Sequence, residues 1–283
     1  MPELPEVETI RRDLEKKLLG QTLSGVDIRL SKIFQGKSAD VVGAKVIGIW
    51  RRAKLLGVDF DNGRTLLFHL KLTGQLVLAF GAGGEITFSR PIPFAGMELP
   101  AKTTHAVFHF DGSRLFFNDL RQFGWIRVVD SSQKEAISEQ MGVEPLSGEF
   151  TAGALEEIVS KTKRPIKLVL VDQEKIAGIG NIYANDALFE AGIHPQRPAK
   201  GLSAEEVKRL RDAVVLVLNE GLKYGGSSAA DESYVRPTGE PGGYQKHFRV
   251  YQRVGQLCPR CGAVIKRVNI GGRGTFFCPR CQK

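Results

Sequence analysis

The four cysteines of the chain, Cys258, Cys261, Cys278 and Cys281, form two C-x2-C pairs separated by sixteen residues. This is the spacing of a tetrahedral site with four thiolate ligands. Each short pair grips one side of a zinc ion from a turn, and a hairpin joins the pairs. Four thiolates leave no position for water, so the expected single zinc is structural. Two disulfides are the competing arrangement, and a cytosolic chain with no spare cysteine disfavours them. Lys266, Arg267 and Arg273 lie between the pairs, so the hairpin presents positive charge.

Charge points the same way. The chain has 283 residues and a formal charge of +9. From Gly242 to Lys283 there are nine Lys/Arg and no Asp or Glu, while residues 1–241 hold 31 basic and 31 acidic side chains. The whole excess therefore sits in the block that carries the cysteines. Proteins that neutralise phosphates concentrate charge in this way, whereas most charge runs are solvated faces without apolar residues or metal ligands.

The length allows two domains of ordinary size. No apolar run reaches the roughly 20 residues of a membrane helix, and the N-terminus lacks the basic start of a signal peptide, so a cytosolic protein is expected. Residues 5–19 read as a helix opened by Pro5, with Val7, Ile10, Leu14 and Leu18 on one stripe and Gly20 as the stop. Short β segments follow over 41–50, 54–60, 65–70, 75–80, 106–110, 114–118 and 125–129, separated by turns such as Asp61-Asn62-Gly63. From about Ser131 the pattern turns helical. Thr151 caps a helix to about Lys161, Pro165 opens one to about Asp172, and Gly178-Ile179-Gly180-Asn181 is a tight turn opening a helix that ends at Gly192. Ser203-x-x-Glu206 is a capping box for a long helix ending at Gly221. Residues 225–243, with five Gly, three Ser and two Pro, read as a long functional or disordered loop. The expected fold class is α+β and multidomain. It comprises an N-terminal β-sandwich with a leading helix (1–130), a helical domain (131–242), and a β-hairpin zinc finger (243–283).

The N-terminus, Met1-Pro2-Glu3-Leu4-Pro5-Glu6, carries possible chemistry. Removal of Met1 leaves Pro2 with a free secondary amine. An α-amino group has a pKa of about 8, so a useful fraction is neutral and able to attack a sugar C1′. Glu3 stands beside it to handle a proton. On residue types alone, Pro and Glu are equally ordinary helix openers.

Six segments in order resemble those of formamidopyrimidine-DNA glycosylases, the bacterial Fpg type. PELPEVET at 2–9 is similar to the family's N-terminus, and Arg51-Arg52-Ala53-Lys54 to its lysine segment. His69-Leu70-Lys71-Leu72-Thr73-Gly74 resembles its HLxMxG turn, and Asp119-Leu120-Arg121-Gln122-Phe123-Gly124 its intercalation loop. Gly178 to Ala184, followed by Gly192-Ile193-His194-Pro195, resembles its helix–two-turn–helix signature, and Gly272 to Phe277 its zinc hairpin.

The resemblance implies a bifunctional glycosylase and AP lyase of base-excision repair. Such an enzyme acts as a monomer on double-stranded DNA with oxidised purines or abasic sites, in the bacterial cytosol at the nucleoid. Pro2 is then the nucleophile, Glu3 the acid, Glu6 a supporting carboxylate, and Lys54 and Arg273 the helpers in elimination. His69, His105, Lys163, Lys167, Asn181 and Arg273 grip the backbone. Leu72, Arg121 and Phe123 fill the space of an everted base, Phe123 as a wedge and Arg121 on the orphaned partner. The loop at 225–243 covers the lesion. For each cation the alternative is a solvated surface charge, and for His69 a satisfied core histidine.

The chain departs from the family pattern in four places. Leu72 stands for methionine, Lys71 for a small residue and Gln122 for a basic one, and residues 81–102 are longer. An endonuclease VIII-type enzyme for oxidised pyrimidines is the sister reading. That branch begins PEGPE, and Leu4 disfavours it. A catalytically inactive zinc-ribbon nucleic-acid-binding protein is the third, disfavoured by the intact Pro2, Glu3 and Lys54.

Overall fold

The structure, a computed structural model, describes residues 1–81, 86–228 and 234–283. Residues 82–85 of the long segment and 229–233 of the expected lesion-covering loop lie outside the described residues. Two compact units form: Met1–Glu139 with Tyr224–Gln245, and Gln140–Lys223 with Lys246–Lys283. Compactness thus divides the chain along lines other than the boundaries expected near 130 and 242, because the segment after Lys223 is stitched onto the first unit.

That unit opens with α1 (Leu4–Leu18). Its stripe of Val7, Ile10, Leu14 and Leu18 is at most 1% exposed. The strands follow as β1 (Leu23–Ile28), β2 (Phe34–Gln35), β3 (Val46–Arg52), β4 (Leu55–Phe60), β5 (Thr65–His69), β6 (Gly74–Phe80), β7 (Ile86–Ile92), β8 (Gly96–Leu99), β9 (Thr104–Phe110), β10 (Ser113–Asp119) and β11 (Trp125–Val129). They end in α2 (Ser131–Glu139). One sheet has the order β1-β9-β10-β6 and the other β2-β11-β5-β4-β3, antiparallel except where β2 meets β11. Leu56, Val58 and Phe68 of the second sheet share one buried cluster with Leu76, Phe108 and Phe117 of the first and with the α1 stripe. The rings of Phe68 and Phe108 meet edge-on at 5.5 Å. Each such side chain contributes about 1.5–3 kcal/mol by leaving water, so this cluster holds the sandwich together.

The strand expected over 41–50 starts only at Val46, because Ser38–Asp40 wind into a 3-10 turn and Gly43 takes φ +87°. β1 was not anticipated, since Gly25 and Asp27 interrupt its apolar pattern. Nor were β7 and β8, whose prolines and Gly96 read as loop. The β7–β8 hairpin covers the outer face of the first sheet, where Ile92 and Leu99 bury against Val77, Ala79, Val107, Phe116 and Val235.

The segment Tyr224–Gln245 is anchored on both sides of its undescribed part. Tyr234 joins the sandwich core, Arg236 makes a two-pronged ion pair with Asp13 at 2.9 Å, and the Leu78 N–H donates to the Pro237 carbonyl at 2.8 Å.

The second unit holds α3 (Ala152–Ser160), α4 (Ile166–Leu170), α5 (Asn181–Ala191) and α6 (Ala204–Lys223), then the hairpin β12 (Lys266–Ile270) and β13 (Arg273–Phe277). Thr151 Oγ1 accepts from the Ala154 N–H, and Ser203 and Glu206 form the expected reciprocal cap. α6 runs on past Gly221, whose missing side chain admits the Tyr183 ring; a Cβ there lies 2.5 Å from it. No helix of the described residues is long and apolar enough to cross a membrane.

Candidate active site and nucleic-acid interface

Pro2, Glu3 and Glu6 are all buried at the start of α1. The Glu6 carboxylate accepts the Glu3 N–H on one oxygen and the Ser227 N–H on the other, each at 2.8 Å. The chain passes Glu6 so closely that a Cβ on Gly226, itself at φ +81°, stands 2.9 Å from Glu6 Cγ. One turn further on, burial pushes the Glu8 carboxyl up, but hydrogen bonds from Arg11 and Arg12 outweigh it and hold Glu8 below its ordinary value. Arg51 donates to Glu8 at 3.1 Å and to the Ala53 carbonyl at 3.0 Å, which ties α1 to the β3–β4 turn.

That turn carries Lys54, buried and next to Ala53 at φ +53°. Strand register brings further groups to the same sheet end, since His69 pairs with Leu55 on one side and Trp125 on the other. Burial, with the nearby charges of Lys71, Lys54 and Arg127, pushes the His69 imidazole down to about 3. The ring is neutral at physiological pH. Its Nδ1 accepts the Lys71 N–H at 3.0 Å, which leaves the proton on Nε2.

Two turns project from this end. Thr73 donates to the buried Asp119 carboxylate, which also takes the Gly124 N–H at 2.7 Å, while Thr73 accepts the Arg121 N–H at 2.9 Å. The bonds fix Leu72, half-buried, beside the loop bearing Arg121 and Phe123. Phe123 is 53% exposed, and the Arg121 guanidinium lies 4.9 Å from its ring centroid. His105 is buried, and its Nε2 donates to the Asp119 carbonyl at 2.7 Å, so its ring braces this loop from inside.

In the second unit, Asn181 is the first residue of α5, and its amide donates to the Gly274 carbonyl at 3.1 Å. Asn185 accepts the Phe276 N–H at 2.7 Å. Lys167, expected to grip the DNA backbone, is fully buried, with its ammonium on Thr275 Oγ1 at 2.5 Å and the Gly274 carbonyl at 3.3 Å. These bonds fasten β13, which begins with the exposed Arg273, to α5 through Asn181 and Asn185 and to α4 through Lys167; the positive dipole end at the start of α5 favours anions. Lys163 is exposed nearby in the chain.

The four cysteine sulfurs lie within 4.8 Å of one another, and none is in a disulfide. Sγ–Sγ distances of 3.4 and 3.8 Å approach the tetrahedral edge of about 3.8 Å set by zinc–sulfur bonds of about 2.3 Å. The N–H groups of Arg260 and Cys281 point at Cys258 and Cys278 sulfurs at 3.4 Å, which suits thiolates. The residues fit a zinc ion.

Thr73, Asp119, Asn185 and Ser227 were not singled out from sequence. Asp119 had a local sign, an acid opening a turn that closes at Gly124. The others pair with residues 46 or more positions away.

Residues 1–126 match the family profile "Formamidopyrimidine-DNA glycosylase N-terminal domain", residues 141–233 its "H2TH domain", and residues 255–283 the "Zinc finger found in FPG and IleRS". A formamidopyrimidine-DNA glycosylase of Pelotomaculum thermopropionicum is 38% identical over 100% of this chain and 99% of its own length. The chain belongs to the formamidopyrimidine-DNA glycosylase family. It is an enzyme of DNA repair with one structural zinc, and its fold is that of solved Fpg structures. The MutM (Fpg) protein of Thermus thermophilus aligns with TM-score 0.87 and 38% identity over 99% of this chain and 98% of that one. A Lactococcus lactis Fpg mutant in complex with Fapy-dG containing DNA aligns with TM-score 0.87 and 31% identity over 100% of both chains.

Proposed function

We propose that this glycosylase excises oxidised purines, 8-oxoguanine and formamidopyrimidines, and then cuts the strand by β,δ-elimination. The observation that carries this reading is the buried start of α1, where Pro2 adjoins Glu3 and Glu6 holds the Glu3 N–H, with the lysine turn tied to the same helix through Arg51 and Glu8. The Lactococcus lactis Fpg bound to Fapy-dG DNA supports the purine substrate.

With Met1 removed, the Pro2 nitrogen attacks C1′ of the everted damaged nucleotide. The N–C1′ bond forms, the glycosidic bond breaks, and its electron pair leaves with the base. The Pro2 nitrogen sheds its proton, and Glu3 delivers a proton to O4′ as the C1′–O4′ bond breaks and the sugar ring opens. The resulting iminium acidifies the C2′ proton, whose loss expels the 3′ phosphate, and a second elimination expels the 5′ phosphate. We assign the first elimination to Lys54 and the second to Arg273. Phe123 and Leu72 fill the vacated space, and Arg121 hydrogen-bonds the orphaned cytosine. His69, through its Nε2–H, and Lys163, Asn181 and Arg273 hold phosphates. For the buried Lys167 and His105 we propose positioning roles, through the hairpin and the Asp119 loop. The substrate is duplex DNA in the bacterial cytosol, and the enzyme acts as a monomer in three functional parts: the sandwich, the helix–two-turn–helix region, and the zinc hairpin. The segment at 225–243 covers the lesion.

The test is borohydride trapping on an 8-oxoguanine duplex, with loss of Met1 verified by mass. Wild type should form a covalent protein–DNA adduct. Pro2→Gly should lose most of it. Glu3→Gln should block base release while sparing some cleavage at abasic sites. No adduct on oxidised-purine or abasic duplexes overturns the mechanism, and a preference for oxidised pyrimidines transfers the enzyme to the sister branch.

A further inference from the structure

Among the described residues of the first unit, four non-glycine residues take positive φ: Ala53, Lys71, Phe94 and Gln122. Three adjoin residues to which a role is assigned, namely Lys54, Leu72 and Phe123. Left-handed backbone costs a non-glycine residue about 1–3 kcal/mol and persists where the surroundings over-determine it, often at functional sites. A bulky aromatic is among the least suited residues to it. Phe94, at φ +65° in the turn between β7 and β8, is the fourth, and it belongs to the segment 81–102, expected from the sequence to be longer than in the family.

The strain is not repaid by burial of the ring, because Phe94 is 44% exposed. It is imposed by the backbone around it. The Ala95 N–H closes the turn on the Ile92 carbonyl at 3.0 Å, while Ile92 itself is buried against the first sheet. Gln75 Nε2 donates to the Pro93 carbonyl at 3.2 Å, and Thr103 Oγ1 donates to the Phe94 carbonyl at 3.2 Å. Both tethers lead to the DNA-facing turns. Gln75 follows Thr73 and Gly74, and the Thr103 carbonyl accepts the Asp119 N–H at 2.9 Å. The hairpin tip is thus fastened to the same two turns that carry Leu72 and Phe123, with Lys102 exposed beside Thr103.

We propose that Phe94 is a further DNA-contacting residue, an aromatic platform on the substrate duplex beside the lesion. The occupant follows from continuity with the turns bearing Leu72 and Phe123, and the proposal rests on the DNA-repair reading of those turns. A base or sugar face against the ring offsets the strain that the free chain carries.

The test is affinity for a duplex bearing an uncleavable tetrahydrofuran abasic analogue, at several salt concentrations. Phe94→Gly relaxes the backbone and removes the ring. It should keep or raise Tm yet bind about five- to twentyfold more weakly, as loss of one aromatic–base contact would. The salt slope should be unchanged, because no charge is removed. Phe94→Trp should bind within about twofold of wild type. Phe94→Gly binding as tightly as wild type overturns the proposal, as does a Tm loss with affinity intact, which makes the ring a folding element only. The underlying reading fails separately, if wild type itself prefers the analogue duplex no more than undamaged DNA.

Discussion

The hydroxyl of Thr73 donates to the carboxylate of Asp119, forty-six residues away, and makes one body of the turn with Leu72 and the loop with Phe123. Asp119 is 1% exposed, so each donor on it matters. Removing a partner from a buried polar group costs about 1–3 kcal/mol. Thr73→Val keeps the shape and deletes the donor. It should lower Tm by a few degrees and slow excision of an intact 8-oxoguanine about tenfold. Cleavage at a ready-made abasic site should fall less, and Thr73→Ser should restore both. Single-turnover rates on the two substrates decide it: equal losses on both remove the turns from base eversion.

Zinc removal should act on DNA binding through Arg273. β13 is fastened to α5 by Asn181 and Asn185, to α4 by Lys167, and at its far end to the cysteine cluster. Stripping the metal, or Cys261→Ser, should reduce the slope of log affinity against log salt by about one ion. Arg273→Ala should do the same in zinc-loaded protein, and the two changes together should do no more. A zinc-free protein with the wild-type slope breaks the link between metal and arginine.

His69 should leave a mark on acid stability. Its folded imidazole takes up a proton only near pH 3, whereas in the unfolded chain it does so near 6.5. Between these values the unfolded state holds more protons, so stability is full above about pH 6.5 and is lost as pH falls towards 3. His69→Gln removes this contribution. The drop in Tm between pH 7 and pH 5 should be smaller in the variant than in wild type. An identical drop means that the ring is protonated in the folded enzyme.

What could be read from the sequence was local. The α1 stripe, the Thr151 and Ser203 caps, the turn before Asn181 and the cysteine spacing all work within a few residues, and each stands where expected. The strand end that gathers Lys54, His69 and the two turns depends on register across three sheet neighbours, which no local pattern encodes. Lys167 reads as a surface cation, and only the fold supplies the threonine and carbonyl that bury it. The proline- and glycine-containing stretch of β7–β8 carries loop chemistry but is held as a hairpin by the sheet face beneath it. Tyr234 and Arg236, inside a stretch that reads as loop, are pinned by the sandwich core and by Asp13, some 220 positions earlier.

Glu6 joins the first turn of the chain to residue 227 through one carboxylate. Free-energy coupling through such a bridge is reciprocal. Whatever fixes Ser227 in place also fixes Glu3, the neighbour of Pro2, with the same coupling energy in each direction. Under the proposed mechanism, inspection of a base and readiness to sever it are then two faces of a single equilibrium.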